Sequence, residues 1–532
     1  MPMFKLDGKE VPFQPGDTII RAAARAGIDI PHYCWHPGLS VAANCRMCLV
    51  EILPEPGRKA LSLDVLSWDP ASGSLRPKRK PKLQPACQIP ATDGMVVLSD
   101  QSPHVLEARA AVQEFLLLNH PVDCPICDQA GECKLQDYWL AHQRTGKRMR
   151  DEIVHKPKAV SFGPTIVYDA ERCIVCTRCV RFCAEIAKDP VLEKRERGNL
   201  SEIAVSPGRQ LDHPYSLMTE HVCPVGALTS KDFRFKARVW FLRSARSVCQ
   251  GCATGCNAWL DFDPRYQRAY RYRPRDNEQV NGHWMCDEGM LSYRSAHKER
   301  IVDATIERKQ VRVEAAIARA AELLSALPLE RSAVVLSAQH SNEDNFALVT
   351  LAKSHLGIGE FFLAGKPWGE GDAILRNADK NPNTAGANDV ATTTPPRPFD
   401  QLVQAIEDGR ITHVIALGSA VPMDDERARA ALKKLRVLIS IATWDGALPA
   451  CGTVVLPACS WAEADGTWVN AKRIAQRSLR ALQPAGNARP GWELVARIGS
   501  SMQFPMKWAR LQDVHRAMAP EAGAIAAPSP EP

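Results

Sequence analysis

CIVCTRCVRFC, residues 173–183, sets four cysteines at the spacing C-x2-C-x2-C-x3-C. Bacterial electron carriers wrap a [4Fe–4S] cubane with this spacing: three thiolates hold one cluster and the fourth reaches across to a second. Here the complementary run has lost its first three cysteines. SLMTEHVCP (216–224) keeps only Cys223, ahead of Pro224. Cys223 is therefore expected to complete the cluster of Cys173, Cys176 and Cys179. Cys183 is expected to be a relic whose own cluster is gone. Arg172, Arg178 and Arg181 flank the run; they either offset the charge of a bound cluster or form an ordinary solvated face.

Three more groups surround this one. Of eighteen cysteines, sixteen precede residue 287, and only Cys451 and Cys459 follow. In a reducing compartment such a concentration argues for metal rather than disulfides. Cys34, Cys45, Cys48 and, after a long insertion, Cys87 have the close set and distant fourth member of a plant-type [2Fe–2S] site. The first gap is ten residues rather than four, so the loop must differ. Arg46 stands between two of these thiols, where its charge would offset an anionic cluster. Zinc sites come as two short-spaced knuckles, and this group has one. In NHPVDCPICDQAGEC (119–133), Cys124, Cys127 and Cys133 are one ligand short of four, and His120 stands just ahead of them. His120 is either that fourth ligand or a helix-terminal histidine balancing the helix dipole. Cys249, Cys252, Cys256 and Cys286 form C-x2-C-x3-C-x29-C, a spacing suited to [4Fe–4S], with zinc as the alternative.

The 532 residues imply several domains. Hydrophobic residues make up 45%, no apolar run is long enough to span a bilayer, and MPMFKLDGKEVPF lacks the marks of a secretory or transit segment. These features suggest a cytosolic, bacterial-like protein. The net charge of +7 is small for this length. Its densest run, RPKRKPK (76–82), has few interleaved aromatics and reads as a solvated insertion loop rather than a nucleic-acid site. FKLDGKEVPF (4–13) predicts a hairpin turning at Asp7-Gly8, TIIRAAARAGI (18–28) a short helix stopped by Gly27, and 104–118 a helix. Strands are predicted after Cys48 and over 94–99. After residue 300 helices (313–327, 344–357, 399–409, 425–435) alternate with strands (333–338, 412–418, 437–443, 452–458), as in a mostly parallel sheet. KPWGEGDAIL (366–375) is only a weak nucleotide signal.

YCWHPGLSVAANCRMCLVEI, HPVDCPICDQAGECKLQD, RCIVCTRCVRFCAEI, HVCPVGALTSKDFRFKARVW and CATGCN…WMCDEGMLSY occur in this order. Together they resemble the large iron–sulfur subunit of the peripheral arm of respiratory complex I, the bacterial NADH:quinone oxidoreductase. The likeness covers residues 1–300. It implies His120, Cys124, Cys127 and Cys133 as a [4Fe–4S] site held by one histidine and three cysteines. It implies Cys173, Cys176, Cys179 and Cys223 as a second [4Fe–4S] site, and the fourth group as an additional, off-pathway cluster. TVVLPACSWAEADGTWVNAKRIAQRS (453–478) resembles a segment of the molybdopterin oxidoreductases, with Lys472-Arg473 in place of the usual Gly-Arg. No cysteine lies between 287 and 450, where a molybdenum ligand is expected, so the resemblance is to a truncated, cofactor-free domain. Cys451 and Cys459 read as inert buried thiols.

The expected architecture is an α+β front half and an α/β back half. Residues 1–100 form a plant-type ferredoxin-like β-grasp domain, 101–150 the His-and-Cys segment, 151–240 a ferredoxin-like domain and 241–300 the fourth-cluster segment. Residues 301–520 form the molybdopterin-oxidoreductase-like domain and 521–532 a flexible tail. The expected cofactors are one [2Fe–2S] and three [4Fe–4S] clusters, without molybdopterin. The resemblance implies relay of electrons from a flavin-bearing, NADH-oxidising subunit toward quinone-arm subunits at the cytoplasmic face of the bacterial inner membrane. Membrane contact would come only through the assembly, with no nucleic acid bound and no substrate-converting site of its own. The alternative is the electron-transfer subunit of a related NAD-linked formate dehydrogenase or hydrogenase.

Overall fold

The computed structural model describes residues 1–54, 61–142, 146, 148–391 and 395–518, and the chain divides into two compact units at Val239/Trp240. The expected tail, 521–532, lies outside the described residues.

In the first unit, β1 (Met3–Leu6) and β2 (Lys9–Pro12) form a hairpin. Its turn residues, Asp7 and Gly8, both have positive φ (47° and 81°), as a two-residue type I′ turn requires. α1 (Ile19–Arg25) ends where Gly27 takes φ 72° and donates its N–H to Ala24. There follow β3 (Leu49–Ile52), β4 (Ser62–Asp69), β5 (Ser74–Pro81), β6 (Gln84–Pro85) and β7 (Val96–Leu98). The main sheet runs β2-β1-β7-β3-β6, with β1 and β7 parallel and the other pairs antiparallel. Phe4, Leu6, Val11, Ile19, Ile20, Val50 and Val97 form its core, and Cys48 and Cys87 are buried among them.

The basic run 76–82 is not a loop. Most of it is β5, paired with β4 from Ser62↔Pro81 to Asp69↔Ser74 in a separate two-stranded ribbon. Backbone pairing with β4 decides its conformation; its own Pro, Lys and Arg have little strand preference.

α2 (Pro103–Leu117) starts at Ser102, whose Oγ accepts the Val105 N–H at 3.3 Å. α3 (Lys134–His142) follows the second cysteine group, and α4 (Arg178–Glu185) carries the second half of the ferredoxin run. Short strands Val160–Ser161, Ile166–Tyr168 and Leu228–Ser230 form a three-stranded sheet beside this region.

The second unit opens with a three-stranded antiparallel sheet, Arg243–Val248, Asn257–Asp263 and Arg268–Pro274. Beyond residue 300 lies an eight-stranded sheet. Six strands are parallel, in the spatial order 454–457, 437–442, 413–417, 332–337, 361–364 and 397–398; 304–306 and 309–311 add antiparallel at one edge. Apolar cores cover both faces, which explains the continuous apolar runs of AVVLSA and VLISIA. Strand order reverses between 332–337 and 413–417, and a cavity of about 720 Å³ opens at the carboxyl ends there. Gln339, Lys366, Ser419 and Trp444, each just past a strand, line it. The helix expected over 344–357 starts at Asn342, and its last turn, Leu351–Leu356, widens to a π-helix before Gly357 (φ 72°).

Candidate metal centres

The first group converges from three elements. Cys34 follows α1, Cys45 and Cys48 precede β3, and Cys87 follows β6; Cys34, Cys48 and Cys87 are fully buried. The thiols pair as Cys34 with Cys45 and Cys48 with Cys87, and the two pairs act on each other. A hydrogen bond from Cys34, together with the backbone at Cys34, Met47 and Tyr33, lowers the Cys45 pKa. The hydrogen bond with Cys45, then burial, raises Cys34. Ala43 (φ 51°) and Arg46 (φ 61°) are left-handed, and this curls the long loop around the thiols. The Arg46 side chain is exposed, so water weakens the charge offset expected of it.

The second group places His120 in one cavity with its three thiols. α2 ends at Leu117, the chain turns through Val122 (φ 52°), and Cys124–Ile126 forms a single 3₁₀ turn. His120, Cys124, Cys127 and Cys133 line one cavity of about 370 Å³. Burial lowers the His120 pKa to about 4, so the imidazole is neutral at pH 7. A neutral ring offers a metal its lone pair but cannot balance a dipole. Gly226 lines the same cavity; a Cβ there would stand 2.5 Å from Cys127 Sγ.

In the third group burial raises every thiol, Cys173, Cys176 and Cys223 to about 11, and their mutual repulsion adds to it. Such a set gives up its protons readily only to a cationic centre. Val175 and Thr177 are left-handed, and the Val175 N–H points at Cys173 Sγ at 3.4 Å. Cys183 is fully buried, with its Sγ 3.5 Å from His213 Nε2.

The flanking arginines are not a solvated face. Arg172 is buried and grips Asp123, beside Cys124, with Nε and Nη2 at 3.1 and 2.6 Å. Arg178, also buried, donates to the carbonyls of Trp35 and Val222. Arg181 donates to the Cys34 carbonyl at 2.6 Å and to Ser40. The ferredoxin run is thus fastened to the loops of both other groups in its unit.

The fourth group, Cys249, Cys252, Cys256 and Cys286, is buried in the second unit. Burial raises Cys249, Cys256 and Cys286, the last to about 12, and neighbouring thiols add to it. Cys286 Sγ caps helix Asp287–Leu291, and a Cβ on Gly289 would lie 2.9 Å from Cys249 Sγ and 3.3 Å from Cys286 Sγ. The hairpin Gly466–Val469/Ala475–Ser478, from the stretch compared with molybdopterin enzymes, clasps this loop. Ala471 N–H donates to Ala253, Asn470 to Thr254 and Gln476 to Gly255, at 2.8–3.2 Å. Cys451 and Cys459 flank strand 454–457, and burial raises both thiols.

Among the described residues no three His, Cys, Asp or Glu side chains close on a point fit for one metal ion. The cavity of the second group is framed by His120, Cys124, Cys127 and Cys133, three donors that are anionic when ionised and one that is neutral.

Three cysteine-bearing groups in the first unit, and a fourth in the second unit ahead of a mostly parallel α/β sheet, are the pattern of a multi-centre iron–sulfur protein. Residues 3–68 match the 2Fe–2S iron–sulfur cluster binding domain, 109–148 the NADH-ubiquinone oxidoreductase-G iron–sulfur binding region, 163–229 the ferredoxin-like domain of NADH-quinone oxidoreductase subunit 3, and 301–501 molybdopterin oxidoreductase. The chain is a homologue of the G-type iron–sulfur subunits of NADH-quinone oxidoreductases. It is 35% identical to that of Streptomyces coelicolor over 58% of this chain and 34% of that protein. It is 36% identical to that of Rickettsia conorii over 66% and 49%. It is 35% identical to the mitochondrial NADH dehydrogenase [ubiquinone] iron–sulfur protein 1 of Solanum tuberosum over 70% and 46%. The chain thus spans between a third and a half of the length of these relatives. Among the described residues no helix is long and apolar enough to cross a membrane.

Proposed function

We propose that this chain is an electron-relay subunit of the peripheral arm of an NADH-quinone oxidoreductase. The observation that carries this reading is the cavity framed by His120, Cys124, Cys127 and Cys133, in a chain homologous to the iron–sulfur subunits of such enzymes. The ligand sets are Cys34, Cys45, Cys48 and Cys87 for a [2Fe–2S] cluster, and His120 with its three cysteines for a [4Fe–4S] cluster. Cys173, Cys176, Cys179 and Cys223 hold another [4Fe–4S] cluster, and Cys249, Cys252, Cys256 and Cys286 a third. Such clusters, when bound, accept and release single electrons. The protein's own part is to bury the thiols, keep His120 neutral and set positive charge beside them. Arg178, flanked by Cys176, Cys223 and Cys34, favours the more negative, reduced state. Residues 1–100 serve as the β-grasp module, and the fourth group braces the second unit.

The partners are a flavin-bearing NADH-oxidising subunit and quinone-arm subunits, which hold the chain at the cytoplasmic face of the membrane. The back half serves as a scaffold, and Lys298, Lys366, Lys380, Glu288 and Trp444 line the cavity at its strand ends. Metal analysis with EPR of the reduced protein tests the reading. Iron in the ratio of one [2Fe–2S] and three [4Fe–4S] clusters is expected. Stoichiometric zinc without an iron signal would sink it, and molybdenum would favour a formate dehydrogenase subunit.

A further inference from the structure

Two side chains of α4, Arg178 and Arg181, reach the first group as well as the third, and they stand one turn apart on the helix. Arg181 Nη2 donates to the Cys34 carbonyl at 2.6 Å and to the Cys176 carbonyl at 3.4 Å, and Nη1 donates to the Ser40 carbonyl. A single nitrogen thus joins the backbone of a thiol in one group to that of a thiol in the other. Arg178 repeats the pattern one residue away. It donates to the carbonyl of Trp35, next to Cys34, and to that of Val222, next to Cys223, the latter at 3.3 Å. Two further bonds close the contact. Glu185, at the end of α4, accepts the Ser40 N–H at 2.8 Å. Asn44, beside Cys45, donates to the carbonyl of Val175, beside Cys176, at 3.3 Å.

The charges of the three arginines are used differently. Arg172 pairs with Asp123 at 2.6 Å. Among the described residues no carboxylate forms an ion pair with Arg178 or Arg181, and the Nε of each is buried without a hydrogen-bond partner. A guanidinium taken out of water without a counter-anion is costly. The anions at hand are the thiols of the two groups when ionised, and Cys176, Cys223 and Cys34 are the groups whose charge acts on Arg178. Cations placed between two thiol sets and claimed by no carboxylate favour added negative charge on either side, which is what an electron brings.

We infer that Arg181, seconded by Arg178, is a positioning residue for electron exchange between the first and third groups: its fork holds the Cys34 and Cys176 backbones in one fixed contact, and its unpaired charge favours the electron on either side. This role rests on the reading of the chain as an electron relay. A planar fork can span two carbonyls while staying charged; a lysine at the same place keeps the charge and loses the span.

The test uses the full, cluster-loaded chain as wild type, as Arg181→Met and as Arg181→Lys. Redox-poised EPR gives the potential of each group. Rapid-freeze EPR after one-electron photoreduction by a soluble flavin gives the rate at which the first and third groups come to equilibrium. Arg181→Met is expected to lower both potentials and to slow the exchange about tenfold. Arg181→Lys is expected to keep both potentials near those of the wild type and to slow the exchange about threefold. Arg181→Met with unchanged potentials and exchange overturns the inference, and so does a shift confined to one group. If Arg181→Met holds no clusters, Arg181→Lys decides: slower exchange at unchanged potentials supports the role, and wild-type exchange overturns it. A wild type whose two groups give signals but do not exchange electrons overturns the inference alone. A wild type without iron–sulfur signals is a different result, and it overturns the relay reading itself.

Discussion

His120 stands three residues past the end of α2 and faces the same cavity as three thiols. Replacing it with cysteine exchanges a neutral donor for an anionic one. His120→Cys is expected to keep a cluster but lower its potential by on the order of 100 mV, the scale of one charge at an effective dielectric of about 20. Redox-poised EPR reads this shift. If His120→Ala leaves every cluster signal unchanged, His120 is not a ligand. Gly226→Ala offers a second check, because its new Cβ would meet Cys127 Sγ; loss of the second group's signal alone is expected. Arg178→Met should lower the potential of the third group by roughly tens of millivolts, since a buried cation is removed from beside its thiols. Spacing made the cysteines legible, because metal ligands recur at fixed intervals. His120 was legible only as one of two readings; the family resemblance favours the ligand, and the cavity places the ring beside the three thiols. The arginines were ambiguous for a physical reason: a flanking charge that grips a neighbouring loop and one that faces water look alike until the chain is folded.

Helix Asn342–Thr350 is held at its first turn by Glu343. This fully buried carboxylate accepts hydrogen bonds from Thr467 N–H at 2.9 Å, Thr467 Oγ1 at 2.6 Å and His515 Nε2 at 2.8 Å, so it ties strand 466–469 and helix 511–518 to the helix. Burial alone would raise its pKa, but these bonds outweigh it and hold the group below its ordinary 4.5. The sign follows: a depressed carboxylate contributes stability that is fully present above pH 4.5 and is lost as pH falls through the folded-state value. Glu343→Gln is expected to cost about 1–3 kcal/mol at pH 7 and to flatten the loss of stability below pH 4.5. Urea unfolding followed by tryptophan fluorescence at a series of pH values checks this, and an undiminished acid loss in the variant would contradict it. The element pattern around this helix was readable because apolar runs and glycine stops encode it locally. Its start at Asn342, two residues early, was not, because Ser341 caps a turn whose side chains are polar yet buried. The β4–β5 ribbon was illegible for the opposite reason. Its cue lies in the alternation of β4, while the proline and dense charge of its partner strand are the marks of a loop.

The two units depend on their cysteines unequally. In 1–239 the strands of the main sheet are two to four residues long, and Cys48 and Cys87 are members of its core. There the apolar core cluster is smaller than those beyond residue 300, and the thiols of each site repel one another when ionised. Beyond residue 300 the parallel sheet is covered on both faces by large apolar clusters, with no buried cysteine among their core residues. A scaffold of this kind gains most of its stability from burial rather than from ligation. Chain prepared without iron is therefore expected to be cut by protease at least tenfold faster than the loaded protein within 101–240 and 249–286. The region from about residue 300 to 518 should survive as one fragment at nearly the loaded rate. Mass spectrometry of a timed digest identifies the fragments. If iron removal opens the sheet region as fast as the cysteine-bearing segments, the back half leans on the fourth group far more than its cores imply, and the hairpin that clasps Ala253, Thr254 and Gly255 would be the route by which that dependence travels.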